Sequence, residues 1–158
     1  MIRVGFGYDV HAFAEGRELW LGGIRIEHPC GLLGHSDADV LIHAICDALL
    51  GAANLNDIGF HFPDTEETFK NISSSILLRQ TMHLIQAAGY HFGNIDATIV
   101  AEQPKLFPYI PEMKRTMAEV MKVSVNDISL KATTTEKLGF TGRKEGIAAY
   151  AVVLLNKL

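Results

Sequence analysis

The sequence is poor in the features that mark secreted and membrane-spanning proteins. It has two cysteines in 158 residues, Cys30 and Cys46, which form no CxxC pair and so indicate neither a disulfide framework nor an oxidising compartment. No apolar run approaches the roughly 18 residues of a membrane helix, and the N-terminus shows no leader-like pattern. We therefore expect one cytoplasmic globular domain over residues 1–158, with no membrane partner.

Positive charge and glycine-rich phosphate loops are also scarce. The formal net charge is -4 and the pI is near 5.9, which argues against a nucleic-acid partner. Neither GxGxxG nor GxxxxGK[ST] occurs, so phosphates would be held by a metal, by backbone N–H groups and by scattered polar side chains. Single basic residues suit a small anionic ligand: Lys105, Lys131, Lys137 and Arg143.

Hydrophobic periodicity predicts interleaved strands and helices. We predict strands at 3–8, 91–100, 128–132 and 147–155, a hairpin around Gly22-Gly23, and helices at 40–53, from Ser73 or Ser74 to 88, and from Pro111. Pro29-Cys-Gly31 is expected to break the sheet. The nearly continuous apolar run at 147–155 should be a central strand that is covered on both faces. The fold class is α+β: a mixed sheet with helices packed on one face.

The most informative polar residues are Asp9 and His11, followed by His43. Residues i and i+2 of a strand point to the same face, so Asp9 and His11 should project side by side, and His43 should join them from a helix. Two imidazoles and one carboxylate leave one coordination position open, which is the pattern of catalytic zinc. The motif is short, and the alternative is that Asp9 is a turn residue and both histidines are ordinary polar side chains.

The predicted helix at 40–53 carries two further acidic residues at helical spacing. Asp39, His43 and Asp47 lie four apart and should share the helix face that the core does not need. Asp47 is therefore a candidate to orient the His43 ring.

A second polar cluster runs from Lys131 to Arg143. Three threonines, Thr133 to Thr135, offer hydroxyl donors at the end of a strand. Arg143 can hold phosphate oxygens with two parallel hydrogen bonds, Glu136 can carry Mg²⁺, and Phe140 between two glycines can stack on a base. The alternative is a threonine-rich strand edge followed by a solvated turn.

Taken together, these stretches resemble one enzyme family. Asp9-Val-His11, Gly34-His-Ser-Asp-Ala-Asp-Val40, Asp57-Ile-Gly59 with Phe62-Pro-Asp-Thr65, Pro104-Lys-Leu106 and ATTTEKLGFTGR at 132–143 are similar to 2-C-methyl-D-erythritol 2,4-cyclodiphosphate synthases, in the same order over essentially the whole chain. The resemblance favours the metal and phosphate interpretations of both clusters. Ala38 and Asn56 stand where glycine is usual in the family, and Lys144 is a further small departure.

The resemblance implies a reaction, metals and an assembly. The family converts 4-diphosphocytidyl-2-C-methyl-D-erythritol 2-phosphate to the 2,4-cyclodiphosphate and CMP in the non-mevalonate isoprenoid pathway. Its members are homotrimers whose active sites are shared between neighbouring subunits. By resemblance, Asp9, His11 and His43 bind zinc and Glu136 supports magnesium or manganese. An isoprenoid diphosphate in a cavity on the trimer axis is left open as a further ligand.

The resemblance also assigns roles to single residues. His35 and Thr134 would stabilise the transition state. Asp57, Gly59 and Asp64 would bind the methylerythritol hydroxyls, and the segments 101–107 and 133–136 would line the cytidine pocket. The full set expected to contact the substrate is Asp9, Val10, His11, His35, Ser36, Asp57, Ile58, Gly59, Phe62, Pro63, Asp64, Thr65, Glu66, Ala101, Glu102, Gln103, Pro104, Lys105, Leu106, Phe107, Thr133, Thr134, Thr135, Glu136, Phe140 and Arg143.

Two other classes of function compete with this interpretation. Two histidines and a carboxylate also form the facial triad of mononuclear iron oxygenases, although that motif usually reads His-x-Asp within a β-jelly-roll. A non-catalytic trimer that binds an isoprenoid diphosphate or a partner enzyme would need basic and apolar surfaces, but it would not need Asp9, His11, Asp64 and Thr134 together.

Overall fold

The computed structural model describes residues 1–157, and Leu158, the last residue of the expected domain, lies outside the described residues. Strands and helices interleave along the chain, with three short 3₁₀ turns between them. The strands are β1 (Ile2–Glu15), β2 (Leu19–Leu21), β3 (Ile24–Ile26), β4 (Cys30–Leu32), β5 (Tyr90–Val100), β6 (Ile128–Thr133) and β7 (Gly146–Lys157), and the helices are α1 (Val40–Ala52), α2 (Ile58–His61), α3 (Ser74–Ala87), α4 (Ile110–Met121) and α5 (Gly139–Gly142).

The main sheet has five strands in the order β4-β1-β7-β5-β6, and β2 and β3 form a separate hairpin. β5 and β6 run parallel, whereas the other neighbours in the sheet are antiparallel. This confirms the predicted α+β class with a mixed sheet. It also differs from the β-jelly-roll that the iron-oxygenase alternative would have required.

Two glycines let helix α1 lie directly against strand β1. A Cβ added at Gly5 would lie 1.9 Å from the carbonyl oxygen of Ala48, and one at Gly7 would lie 1.9 Å from that of Ala44. Any larger residue would therefore push the helix off the sheet. Asp9 and His11 continue the same side of the strand, so the close packing that the glycines allow also brings His43 of α1 towards them.

The opposite face of the same strands is apolar and open to solvent. Val4 is 66% exposed and Phe6 is 62% exposed, because they alternate with the glycines that meet the helix. Phe6 and Tyr8 each contact the ring of Tyr150 on β7. We call this region the outer sheet face; it comprises Ile2, Val4, Phe6, Tyr8, Val10, Tyr150 and Val152.

The outer sheet face corrects one prediction about strand β7. The strand is central, between β1 and β5, as the sequence predicted. However, Tyr150 and Val152 are exposed while Ala149, Ala151 and Val153 are buried. The strand is therefore covered on one face only from Ala149 to Val153, whereas at its start Ile147 and Ala148 are both buried. An apolar side chain on an open strand face reads in the sequence like one in a core, so periodicity did not reveal the difference.

Other predicted boundaries need smaller corrections. Pro29–Gly31 does not break the sheet, since Cys30–Leu32 pairs with the far end of β1 as strand β4. β1 itself continues to Glu15 rather than ending at Tyr8. The short helices α2 and α5 were not predicted, because four residues are too few for a helical period to appear. The hairpin at Gly22-Gly23 is confirmed, and both glycines have positive φ.

Within residues 1–157, none of the helices combines the length and the apolar character that crossing a membrane would need.

Candidate functional site

Strand β1 and helix α1 bring the three predicted metal ligands together. Oδ2 of Asp9 lies 2.8 Å from Nε2 of His11 and 3.1 Å from Nδ1 of His43. The two ring nitrogens are 3.2 Å apart. One ligand atom from each residue lies within 4.8 Å of the others, so the three can reach a single ion.

Hydrogen bonds to the remaining ring nitrogens indicate which nitrogen of each histidine is free. Nδ1 of His11 lies 2.7 Å from the carbonyl oxygen of Leu33, which can only accept, so this nitrogen carries a proton in either charge state and, in the neutral ring, Nε2 is the nitrogen with the lone pair. Nε2 of His43 faces the hydroxyl of Ser36 at 3.1 Å and that of Ser74 at 3.0 Å, while Nδ1 faces Asp9. Two nitrogen atoms and a carboxylate oxygen thus converge on one point, and a divalent cation fits this donor set.

Asp9 and His11 also shift each other's pKa. Burial alone would raise the pKa of Asp9, but hydrogen bonds and charge interactions with His11 and His43 outweigh it and lower the pKa to about 2. Burial alone would lower the pKa of His11, but its hydrogen bond to Asp9 leaves the pKa raised above the usual value. In both cases the negative carboxylate and a positive partner stabilise each other.

The predicted orienting role of Asp47 is wrong. Its Oδ1 accepts a hydrogen bond from the backbone N–H of Ile58 at 2.8 Å, so Asp47 holds the start of helix α2 instead of the His43 ring. Asp39, expected on the same free face, is fully buried. Its carboxylate caps α1 through the N–H of Ile42, because the start of α1 packs against the β2–β3 hairpin and the core.

The metal ligands lie in a cavity of about 420 Å³, which we call the metal pocket. Most of its wall was expected from the sequence: Asp9, His11, His35, Ser36, His43, Ile58, Gly59, Phe62, Pro63 and Asp64. The wall also contains residues that sequence reasoning missed: Leu33, Gly34, Phe69 and Leu77. Gly34 did carry a signal, because it begins the Gly34–Val40 stretch that resembles the family, and in the structure a Cβ there would lie 3.1 Å from the ring of His11.

Some predicted substrate residues near the metal pocket have other contacts. Val10 points to the outer sheet face, opposite to Asp9 and His11, because neighbours on a strand alternate. Asp57 caps helix α2 by accepting from the N–H of Phe60 at 2.8 Å. The carbonyl of Glu66 lies 3.0 Å from Nε2 of His35 and anchors that ring. Thr65 is exposed beside them.

A second cavity, of about 400 Å³, lies at the end of strands β5 and β6. We call it the threonine pocket. Its wall matches the predicted cytidine site closely: Ala101, Glu102, Pro104, Lys105, Leu106, Phe107, Thr133 and Thr134, with Ala132 as the one lining residue that was not predicted. Gln103 precedes a cis-proline and is not part of this wall.

The loop after strand β6 is held by one carboxylate. Oε1 of Glu102 accepts from the backbone N–H groups of Thr135 at 3.1 Å and Lys137 at 3.2 Å. The hydroxyl oxygen of Thr134 accepts from the N–H of Glu136 at 3.2 Å, which leaves the hydroxyl proton of Thr134 free to be donated. Glu136 itself is exposed. Glu102 therefore shapes the loop, in addition to lining the pocket.

The basic and aromatic residues near this loop, which were predicted to bind a ligand, either pair with acidic residues or lie outside the threonine pocket. Arg143 pairs with Glu145, its Nη2 lying 3.0 Å from Oε2, and Lys131 pairs with Asp96 across β5 and β6. Both pairs are exposed to solvent, where such pairs are weak. Phe140 lies in α5 and is 39% exposed, and it does not line the threonine pocket.

The metal pocket and the threonine pocket are separate in one chain. Among residues 1–157, no residue lines both cavities. Val10 pairs with Ala148, Ala148 with Val100, and Val100 with Thr133. Thr133 therefore lies in the same row of the sheet as Val10 but three strand spacings away, roughly 14 Å.

Comparison with known proteins places this geometry in a family. The model of the YgbB family matches residues 2–156. A 2-C-methyl-D-erythritol 2,4-cyclodiphosphate synthase of Parabacteroides distasonis is 73% identical over 157 residues, covering 99% of this chain and 98% of that protein.

Solved structures of similar enzymes have the same fold as this chain. The bifunctional IspDF of Campylobacter jejuni superposes with a TM-score of 0.96 at 45% identity, covering all of this chain and 43% of that longer one. IspF of Plasmodium falciparum in complex with CDP superposes with a TM-score of 0.86 at 36% identity, covering 99% of this chain and 96% of that one. The convergent Asp9, His11 and His43 thus occur in a chain whose sequence and fold agree over their full length with one group of enzymes, and the chain belongs to the YgbB family.

Proposed function

We propose that the protein converts 4-diphosphocytidyl-2-C-methyl-D-erythritol 2-phosphate to 2-C-methyl-D-erythritol 2,4-cyclodiphosphate and CMP, as a phosphorus–oxygen lyase of the non-mevalonate isoprenoid pathway. The observation that carries this proposal is the metal pocket, in which Asp9, His11 and His43 converge, in a chain 73% identical to a synthase named for that product. The cytoplasmic location stays a prediction.

The metal pocket would hold zinc, and Glu136 would support magnesium or manganese beside the diphosphate. Bound there, the cations would neutralise negative charge on the phosphate oxygens and polarise the β-phosphorus. His11 and His43 suit zinc because each offers one free ring nitrogen while the other nitrogen is hydrogen-bonded. Glu136 suits a hard ion because its carboxylate is exposed next to the threonine pocket.

The reaction needs no nucleophile from the protein. The 2-phosphate of the substrate would attack the β-phosphorus, the bond from the β-phosphorus to its bridging oxygen would break, and CMP would leave with that oxygen. The protein would contribute position and charge, which dominate phosphoryl transfer. His35 is anchored by the carbonyl of Glu66, and Thr134 keeps a free hydroxyl proton, so both suit hydrogen bonding to the phosphates.

The remaining predicted residues that line one of the two pockets divide between the two ends of the substrate. Gly59 and Asp64 line the metal pocket and suit the methylerythritol hydroxyls, with Asp57 next to them at the start of α2. The threonine pocket suits the cytidine, since it offers Ala101 and Leu106 as apolar walls and Lys105 as a cation. Two solved relatives are described as binding CDP, which supports a cytidine nucleotide as the ligand.

We further propose that the chain assembles as a homotrimer, through the outer sheet face. Large exposed apolar patches on a soluble domain mark sites of association, and this one includes Phe6 and Tyr150 in ring contact. Two further copies of the chain would cover it. The separation of the two pockets supports the same assembly, because a neighbouring subunit would supply the threonine pocket next to the metal pocket. An isoprenoid diphosphate enclosed on the trimer axis stays a prediction.

The decisive experiment is incubation of the protein with the cytidylylated substrate, Zn²⁺ and Mg²⁺, followed by ³¹P NMR. We expect the resonances of the cyclic diphosphate and CMP to appear together in equal amounts, and to be absent when a chelator has removed both metals. Unchanged substrate in the presence of zinc-loaded, trimeric protein would contradict the proposed reaction. Linear hydrolysis products with CMP would show that water, rather than the 2-phosphate, attacks.

A further inference from the structure

Three serines, Ser73 to Ser75, stand at the start of helix α3, and one of them reaches the metal ligand His43. Ser73 is exposed and makes no side-chain capping bond, whereas Ser74 is fully buried. The hydroxyl oxygen of Ser74 lies 3.0 Å from Nε2 of His43. The sequence suggested that Ser73 or Ser74 caps this helix, but the hydroxyl of Ser74 points away from the helix backbone and towards the metal ligand.

The cap is supplied by Asp37, which also determines the direction of the serine hydrogen bond. Oδ2 of Asp37 accepts from the backbone N–H of Ser74 at 2.9 Å, and Oδ1 accepts the hydroxyl proton of the same serine. A hydroxyl has one proton. The Ser74 oxygen can therefore only accept from His43, so Nε2 of His43 must carry a hydrogen when this contact is made.

Ser36 is the other hydroxyl near Nε2 of His43, and it does not determine the proton position. Its oxygen lies 3.1 Å from Nε2 and accepts from the N–H of Ala38 at 3.2 Å. The Ser36 proton is not committed to another acceptor, so Ser36 tolerates either protonation state of Nε2. Ser74 has donated its proton to Asp37, so it is compatible only with the state in which Nε2 carries a hydrogen.

We propose that Ser74 is the positioning residue for His43, and that Asp37 acts through it. The chain from Asp37 through Ser74 keeps the proton on Nε2 and fixes the plane of the ring, so that the lone pair on Nδ1 faces Asp9 and the metal. This deepens the proposed function and rests on its metal site. Partners of this kind typically alter metal affinity by 10- to 100-fold when they are removed.

The test compares zinc dissociation constants, measured by chelator competition on the full-length protein. Ser74→Ala should bind zinc roughly 10- to 100-fold more weakly than wild type, whereas the matched controls Ser73→Ala and Ser75→Ala should bind as wild type does. Cobalt loading provides a second readout, because the visible spectrum of Co²⁺ reports ligand geometry. The spectrum should change for Ser74→Ala and stay unchanged for both controls.

Two further variants separate the possible failures. His43→Ala should lose the zinc site, and a wild-type protein that does not bind zinc would overturn the metal site and this inference together. Wild-type zinc affinity and cobalt spectrum in folded Ser74→Ala would overturn the positioning role alone. If Ser74→Ala does not fold, Asp37→Asn provides the test, because its amide oxygen can still accept from the Ser74 N–H. Wild-type zinc affinity in Asp37→Asn would then overturn the proposal.

Discussion

The metal pocket and the threonine pocket differ in how completely one chain builds them. Three elements meet around the metal ligands: β1 supplies Asp9 and His11, α1 supplies His43, and α3 supplies the buried hydroxyl of Ser74 that contacts the His43 ring. The ligand side chains are mostly buried and hydrogen-bonded to one another. The threonine pocket is formed by strand ends and a loop whose residues from Thr133 to Phe140 are almost all exposed.

This difference indicates how the two regions work. A metal site needs its ligands held in fixed positions before the ion binds, and buried hydrogen bonds provide that order. The threonine loop has few such bonds, mainly those to Glu102, and Glu136 and Lys137 both have positive φ. An open loop of this kind is suited to be completed by the substrate and by a neighbouring subunit.

The largest effect should follow from breaking the metal pocket. His43→Ala leaves two protein ligands, so zinc content and activity should fall together, with kcat/KM reduced roughly a thousandfold or more. The threonine pocket should be unaffected, so CDP binding should persist. Metal analysis and steady-state kinetics on the purified variant measure both effects.

The control for this variant is His91→Ala, which removes an exposed imidazole from strand β5, away from both pockets. It should keep full zinc and full activity. Full zinc content in His43→Ala would remove His43 from the ligand set.

A smaller loss is expected from the other region. Thr134→Val removes the one hydroxyl proton that the threonine loop leaves free, and loss of a donor used in the transition state typically lowers kcat by about 10²–10³. Zinc affinity and KM should stay near wild type. Steady-state kinetics at saturating metal measure the change, with Thr116→Val on helix α4 as the control. A raised KM with unchanged kcat would show that Thr134 binds the ground state instead.

Mixing the two variants tests whether the regions meet across a subunit boundary. If each active site combines His43 of one subunit with Thr134 of its neighbour, about a quarter of the sites in randomly mixed trimers would have both residues intact. Refolding His43→Ala with Thr134→Val in equal amounts should therefore restore a comparable fraction of activity. Mixtures that remain inactive, with subunit exchange verified by mass spectrometry, would show that each site is built within one chain.

The sequence predicted the metal pocket better than the surroundings that hold it. The period of two in strand β1 was enough to predict that Asp9 and His11 share one face of the strand. The helical period was enough to predict that His43 lies on a helix. The parts that were missed depend on contacts between distant segments. Ser74 meets His43 from another helix, and Glu102 reaches Thr135 across 33 positions. Local patterns carry no record of such contacts.

The dependence on contacts between distant segments also explains the errors in the predicted fold. The apolar residues of β1 alternate as in any half-buried strand, but here the glycines face the helix and the large side chains face outward. Only the close approach of α1 to Gly5 and Gly7 decides which face is covered. The roles of single residues, which stay predictions, came from the resemblance to a family, and the sequence pattern alone left those roles open.

The smallest effect concerns backbone strain in the loop that follows α5. Lys144 has a φ of 61° and its side chain is exposed. A left-handed conformation destabilises the folded state of a residue with a Cβ by about 1–2 kcal/mol, and glycine removes this strain. Glycine also makes the unfolded chain more flexible, which lowers the gain in stability by about 0.5–1 kcal/mol. Lys144→Gly should therefore raise the free energy of unfolding by about 0.5–1 kcal/mol, which corresponds to a melting temperature higher by roughly 1–4 °C.

The matched control is Lys122→Gly, because Lys122 is also exposed, has a φ of 58° and ends helix α4 away from both pockets. Both variants should be more stable than wild type by similar amounts, and both should keep wild-type zinc affinity. If Lys144→Gly alone also lowers kcat, the loop near Arg143 depends on this strain to hold its active shape, and the threonine side of the site is more ordered than its exposure suggests. Equal stabilisation with unchanged kcat in both variants would show instead that the loop takes its working shape from the substrate and the neighbouring subunit.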